Sequence, residues 1–297
     1  MADSPSAERR LDADGVRAVL ATASSDLAAL PLALVAEGWD NAIWRLGAEL
    51  AVRVPRRALA ADLILHEQRA LPEIAPRLAR IGVRAPVPVV VGRPTATFPW
   101  PWSVVPWIQG SPALGRSRDT NSAWAPALAA ALLAVHRPAP PDTPSNPYRG
   151  VPLRERDSAL RLRLEYLRAE DRAAAEPLDA VWQSGLAAAP ARARVWIHGD
   201  LHPGNILTHE GALAALIDFG DVTAGDPAYD LAATWLLFDA DGRARFRAGT
   251  ADRYDDATWT RARAWAAYIA AVFLTQSDDR PDFRALGEST ARAVVED

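Results

Sequence analysis

The chain has 297 residues, and its 33 basic residues stand against 37 acidic ones for a formal net charge of -4. That balance argues against nucleic acid as a partner, because phosphate backbones select basic surfaces, and the length accommodates a large core in one or two domains. Cysteine and lysine are both absent, so disulfides and thiolate metal sites are excluded and every one of the 33 basic residues is an arginine. No stretch approaches the roughly 20 apolar residues that span a bilayer, and the N-terminus lacks an apolar leader, so the expected location is cytoplasmic.

In chain order, a helix is expected over residues 12–29. Short strands follow at Leu32 to Ala36, Ala42 to Leu46 and Glu49 to Val54, punctuated by Gly38 and Gly47. Alternation along the third strand puts Ala51 and Arg53 on one face and Val52 and Val54 on the other. A helix from about Ala58 carries Glu67 and is expected to be interrupted near Pro72. Pro86 to Val91 and Ser103 to Trp107 read as two more strands. The tryptophans grouped at 100, 102 and 107 suit core packing. Beyond residue 109 the pattern turns helical: 120–136, with Pro126 tolerable only in a first turn, and an amphipathic stretch over 154–175, separated by a Pro-, Asn- and Gly-rich loop at 137–153.

The densest signal is His198-Gly199-Asp200-Leu201-His202-Pro203-Gly204-Asn205, followed by Ile217-Asp218-Phe219-Gly220-Asp221. Ile206 to Thr208 and Leu213 to Ile217 read as a hairpin about His209-Glu210-Gly211, which brings Asn205 and Asp218 to its open end. An Asp and an Asn five positions apart, then an Asp beside Phe-Gly, match the spacing of a kinase catalytic loop and metal loop. Asp200 is suited to accept a hydroxyl proton. The Asn205 carbonyl and Asp218 carboxylate are hard oxygen ligands of the kind magnesium takes. His198 and Asp221 either belong to this centre or buttress its loops. Asp226-Pro227 starts a further helix, in whose first turn Asp230 falls, and a structural role is favoured for Asp230.

These motifs resemble the aminoglycoside phosphotransferase family, small-molecule kinases with the signature His-Gly-Asp-x-x-x-x-Asn and Ile-Asp-Phe/Trp-Gly. The likeness is strongest over residues 195–235. It implies an α+β, two-lobed, protein-kinase-like fold with a small β-rich N-lobe (1–108) and a larger, mainly helical C-lobe (109–297), the nucleotide lying between them. The activity it implies moves the γ-phosphoryl group of ATP or GTP to a hydroxyl of a small molecule. Asp200 would be the catalytic base, and Asn205 and Asp218 the Mg2+ ligands. Arg53 would stand where kinases use a phosphate-binding lysine, with Glu67 its partner and Glu73 the reserve. Backbone groups around Val105, Trp107 and Ile108 would hold the purine. Glu37 to Asn41 occupies the place of a glycine-rich phosphate loop but has a single glycine, as an ordinary turn would.

The acceptor expected first is an aminoglycoside-like antibiotic, since Asp239, Asp241, Asp252, Asp255, Asp256, Asp278, Asp279 and Asp282 would attract a cation. A solvated surface interspersed with arginines explains the same acids. A macrolide, a choline-like amino alcohol, a sugar, a nucleotide-binding pseudokinase, and a metal hydrolase built on His198, Asp200 and His202 are the alternatives.

Overall fold

The structure is a computed structural model and describes residues 6–170 and 173–297. Two compact units are present: one runs through Gln109 and takes in Ile217–Asp221, and the other comprises Gly110–Leu216 and Val222–Asp297.

The N-terminal unit opens with helices α1 (Ala13–Ala21) and α2 (Ser25–Ala29), strands β1 (Leu32–Glu37), β2 (Asn41–Leu46) and β3 (Leu50–Pro55), helix α3 (Ala58–Ala79), and strands β4 (Val90–Gly92) and β5 (Trp102–Pro106). The strands form one antiparallel sheet in the order β1-β2-β3-β5-β4. Trp44, Val52, Val54, Trp102 and Val104 of this sheet pack with Val16, Val19 and Leu20 of α1 into one apolar cluster. Trp102 is fully buried, with its indole N–H donating to the Arg93 carbonyl at 3.1 Å, so its role is packing.

The second unit contains β6 (Ser111–Pro112), α4 (Arg118–Ser122), α5 (Ala125–Val135), α6 (Asp157–Ala169), α7 (Ala175–Ala187), β7 (Val195–Ile197), β8 (Ile206–His209), β9 (Ala212–Leu216), β10 (Thr223–Gly225), α8 (Ala228–Leu231), α9 (Ala233–Leu237), α10 (Ala240–Gly249), α11 (Asp256–Thr275) and α12 (Pro281–Glu296). Its sheets are small: β7 pairs with β10, and β6-β8-β9 form a three-stranded ladder. Helix α11, apolar nearly all round, is the unit's core element and packs against α6, α7, α8 and α12. Among the described residues no helix is long and apolar enough to cross a membrane.

Several expected boundaries move for identifiable reasons. The helix expected over 12–29 breaks because Ser24 caps α2, its hydroxyl accepting from the Leu27 N–H at 3.3 Å. Helix α3 runs without interruption through Pro72 and Pro76. Its inward face, Ile64, Glu67, Leu71, Ile74 and Leu78, is buried throughout, and that tertiary burial outweighs two missing N–H donors. Residues 86–89 form no strand: Pro86 and Pro88 supply no donors, and pairing with β5 in the ladder begins only at Val90. The 120–136 stretch divides at 123–124, which puts Pro126 in the first turn of α5, where it is tolerated. Of the helix expected over 154–175, α6 covers 157–169, residues 171 and 172 lie outside the described residues, and α7 is an additional helix.

Candidate active site

The N-terminal unit builds a charge cluster from three distant positions, with Arg53 and Glu67 buried. Strand β3 supplies Arg53, α3 supplies Glu67, and the segment after β9 supplies Asp218. Arg53 donates through Nη1 to Glu67 Oε2 and through Nη2 to Asp218 Oδ1, the latter at 2.9 Å. Glu67 Oε2 also accepts the Phe219 N–H at 3.1 Å, which fastens the Asp218-Phe219 segment to α3. Burial opposes the charge on Arg53, but Glu67 and Asp218 outweigh it and hold its pKa above the ordinary arginine value. Burial likewise pushes the Glu67 carboxyl up against the pull of Arg53. Glu73 is instead the exposed partner of Arg77, one helical turn on.

Asp218 adopts a left-handed backbone with φ 62°, a region that Asp tolerates better than most side chains. Its side chain remains 49% exposed, with Oδ2 making no hydrogen bond to the described residues. The turn between β1 and β2 is tied by arginines rather than glycines. Arg56 donates to the Gly38 carbonyl, and Arg57 pairs with Asp40 at 2.5 Å.

Residues 105–108, the segment expected to hold the purine, lead out of β5. The Trp107 N–H is occupied by the Glu49 carbonyl at 2.8 Å, because the chain continues pairing beyond β5, and its ring carries the Arg45 guanidinium at 4.2 Å. Val105 is buried and paired opposite Ala51. Ile108 is also buried.

In the second unit the loop after β7 is held by Asp230. This fully buried carboxylate accepts the backbone N–H groups of His198 at 2.7 Å and Gly199 at 3.0 Å, and contacts His136 Nε2 at 3.0 Å. His136 Nδ1 meets the Tyr254 hydroxyl at 2.6 Å, so an Nε2–H tautomer satisfies both bonds. Burial pushes the Tyr254 hydroxyl pKa up, which keeps that proton in place. For Asp230, burial works against ionisation, but His136, His198 and the Gly199 N–H hold it below the usual carboxylate value. Asp226 fixes the start of α8 by accepting the Ala228 N–H at 3.0 Å and gripping Arg261 through both oxygens, at 2.6 and 3.2 Å.

Asp200 sits at the tip of this loop. Asn205 Nδ2 donates to its carbonyl at 2.8 Å and its carboxylate at 3.2 Å. That orientation turns Asn205 Oδ1 away, with no protein donor among the described residues. His202 Nδ1 accepts the Gly204 N–H at 3.0 Å, so Nε2 carries the proton and stands 3.6 Å from Asp200 Oδ2. His198 is buried, its Nδ1 accepting the Asp200 N–H at 3.3 Å, which is a buttressing contact. Arg149, which nothing in the sequence marked, donates to Asp200 Oδ1 at 3.0 Å and to the Tyr229 hydroxyl at 2.7 Å. Burial would raise the Asp200 pKa, but Arg149 and His202 hold it well below the usual range.

The position of Arg149 follows from a glycine contact. Gly150 has φ +63°, and a Cβ there would lie 2.5 Å from Ile197 Cδ1 and 2.9 Å from the Gly225 Cα. Only two glycines let the 137–152 loop lie this close to β7 and β10.

Two oxygens are left over, Asn205 Oδ1 in the helical unit and Asp218 Oδ2 in the N-terminal unit. Each is a hard donor of the kind magnesium takes. Among the described residues no group of three His, Cys, Asp or Glu side chains is placed to hold a metal.

The acids expected on the acceptor side are largely engaged. Asp239 and Asp255 cap α10 and α11, while Asp241, Asp256, Asp278 and Asp282 pair with Arg245, Arg247, Arg284 and Arg280.

A β-sheet unit followed by a mainly helical unit, with this loop arrangement, defines the kinase-like α+β class, and solved structures of that class match over nearly the whole chain. A wild-type aminoglycoside 2'-phosphotransferase IIIa in complex with GDP superposes with TM-score 0.73 at 19% identity, covering 96% of this chain and 99% of the other. A GDP and kanamycin complex of an aminoglycoside phosphotransferase gives 0.67 at 19%, covering 94% and 97%. The macrolide 2'-phosphotransferase of Brachybacterium faecium, as apoenzyme, gives 0.62 at 20%, covering 93% and 98%. No curated protein matches the sequence. The family model of the phosphotransferase enzyme family, APH, matches residues 31–265, and the chain belongs to that family.

Proposed function

We propose that the protein transfers the γ-phosphoryl group of a nucleoside triphosphate, ATP or GTP, to a hydroxyl of a small molecule. The observation that carries this reading is the division of labour around Asp200, Asn205 and Asp218. Asp200 is ionised and partly exposed, Asn205 turns its amide oxygen outward, and Asp218 leaves one oxygen open. A bond forms between the acceptor oxygen and the γ-phosphorus, the bond from that phosphorus to the β-phosphate oxygen breaks, and the acceptor proton passes to Asp200. Its low pKa makes Asp200 an orienting group that takes the proton late, when the acceptor oxygen has become acidic. Arg53, fixed by Glu67, presents permanent positive charge beside Asp218 and is suited to phosphate oxygens. Mg2+, held by Asn205 and Asp218, would neutralise the phosphates. Backbone contacts around residues 105–108 remain the assignment for the purine, with Trp107 contributing no N–H.

Asp200→Asn and Asp218→Asn test this reading. Each should cut magnesium-dependent transfer by about a hundredfold or more, the usual scale for losing a general base or a charge-stabilising group. Either variant retaining most of its activity would exclude the assigned role.

A further inference from the structure

If Asp200 is the base, as the reading above holds, an acceptor hydroxyl lies within about 3 Å of its carboxylate. The side chains around that carboxylate then meet the acceptor. One of its oxygens already binds the Arg149 guanidinium, and both side chains keep 30% of their surface exposed, so the cation stands at the same surface as the base. On the other flank His202 is edge-on to Phe283 at 5.3 Å and to Phe273 at 6.4 Å. Those two half-buried rings lie 5.1 Å apart, and the Arg280 guanidinium covers Phe283 at 4.5 Å. Of the three acids in this segment, Asp278 and Asp282 pair with Arg284 and Arg280, leaving Asp279 without an ion pair among the described residues.

This surface is aromatic and already holds a cation where an ammonium group of an acceptor would seek the Asp200 charge. A polycationic acceptor would have to displace or lie against Arg149, whose charge is permanent. A neutral ring or apolar face packs on Phe273, Phe283 and the edge of His202 without that conflict.

We propose that Arg149 is a specificity-determining residue. The acceptor it selects is an uncharged hydroxyl compound with an apolar or aromatic face, and polycationic aminoglycosides are disfavoured.

The test is calorimetric binding of phenyl glucoside, glucose and kanamycin to the full chain with magnesium and a non-hydrolysable nucleotide, in the native protein and in Arg149→Gln and Phe283→Leu. The native protein should bind phenyl glucoside about tenfold or more tighter than kanamycin, equivalent to about one unpaired charge contact. Arg149→Gln should narrow that ratio by improving kanamycin, and Phe283→Leu should weaken phenyl glucoside while leaving glucose unchanged. Kanamycin binding as tightly as phenyl glucoside, no binding of phenyl glucoside, or a ratio unmoved by Arg149→Gln would overturn the proposal. Failure of the phosphotransferase reading is seen separately, as absence of magnesium-dependent nucleotide binding in the same titrations.

Discussion

Replacing Asp230 by Asn alters one oxygen of a buried side chain and almost nothing of its shape, so it isolates the electrostatics that hold the loop after β7. Oδ2 takes the His198 N–H and the His136 contact, while Oδ1 takes the Gly199 N–H at 3.0 Å. In the Asn variant the amide oxygen can replace one of these atoms only, and the NH2 then faces a backbone donor. One charge-assisted bond is lost with its donor left buried, at about 1.5–3 kcal/mol, and the remaining two lose their ionic partner, which brings the total to about 3 kcal/mol. At roughly 2–4 °C per kcal/mol for a chain of this size, the melting midpoint should fall by roughly 6–12 °C at pH 7 in scanning calorimetry. The sign of the pH dependence follows from the depressed pKa of Asp230. Its stabilisation is complete above the unfolded value near 3.9 and is lost as pH falls through that value toward the folded one. The gap between native protein and variant should therefore narrow progressively as pH falls below about 5. A midpoint unchanged within about 1 °C, or a gap of constant size down to pH 3, would refute the reasoning.

Three further outcomes are expected. Arg53→Met leaves Glu67 buried beside Asp218 without its cation, and urea unfolding should show a loss of about 3–5 kcal/mol, much of it recovered when Glu67→Met is added. A single-variant loss below about 1 kcal/mol would show the cluster to be dispensable. Gly150→Ala forces a Cβ against Ile197 and Gly225 at a positive φ, and should cost about 2–3 kcal/mol while lowering turnover through Arg149; unchanged melting and activity would contradict that. Asp218→Ala, at a half-exposed side chain, should leave the melting midpoint within about 3 °C of native while abolishing transfer, and a large stability loss would make its role structural.

The candidate residues Asp200, Asn205 and Asp218 stand out in the sequence because their spacing is local, within one loop and the hairpin that follows it. Arg53 and Glu67 were reachable through strand alternation and helix position, and they do meet. Arg149 gave no such signal: it sits 51 residues before Asp200 in an irregular loop, placed by contact between Gly150 and Gly225. His136 and Tyr254 were hidden for the same reason, since their network with Asp230 joins three distant segments. The uninterrupted α3 shows local propensity yielding to burial, and the acids of the helical unit show that composition alone does not separate a ligand-attracting surface from caps and ion pairs.

The central claim is tested most directly by incubating the purified protein with magnesium and ATP or GTP, with and without neutral and cationic hydroxyl compounds, and weighing the products. The account predicts magnesium-dependent consumption of one nucleotide, stimulated by an acceptor whose mass rises by one phosphoryl group, and absent in Asp200→Asn. Failure of the native protein to bind or consume either nucleotide, or equal turnover by Asp200→Asn, would contradict it.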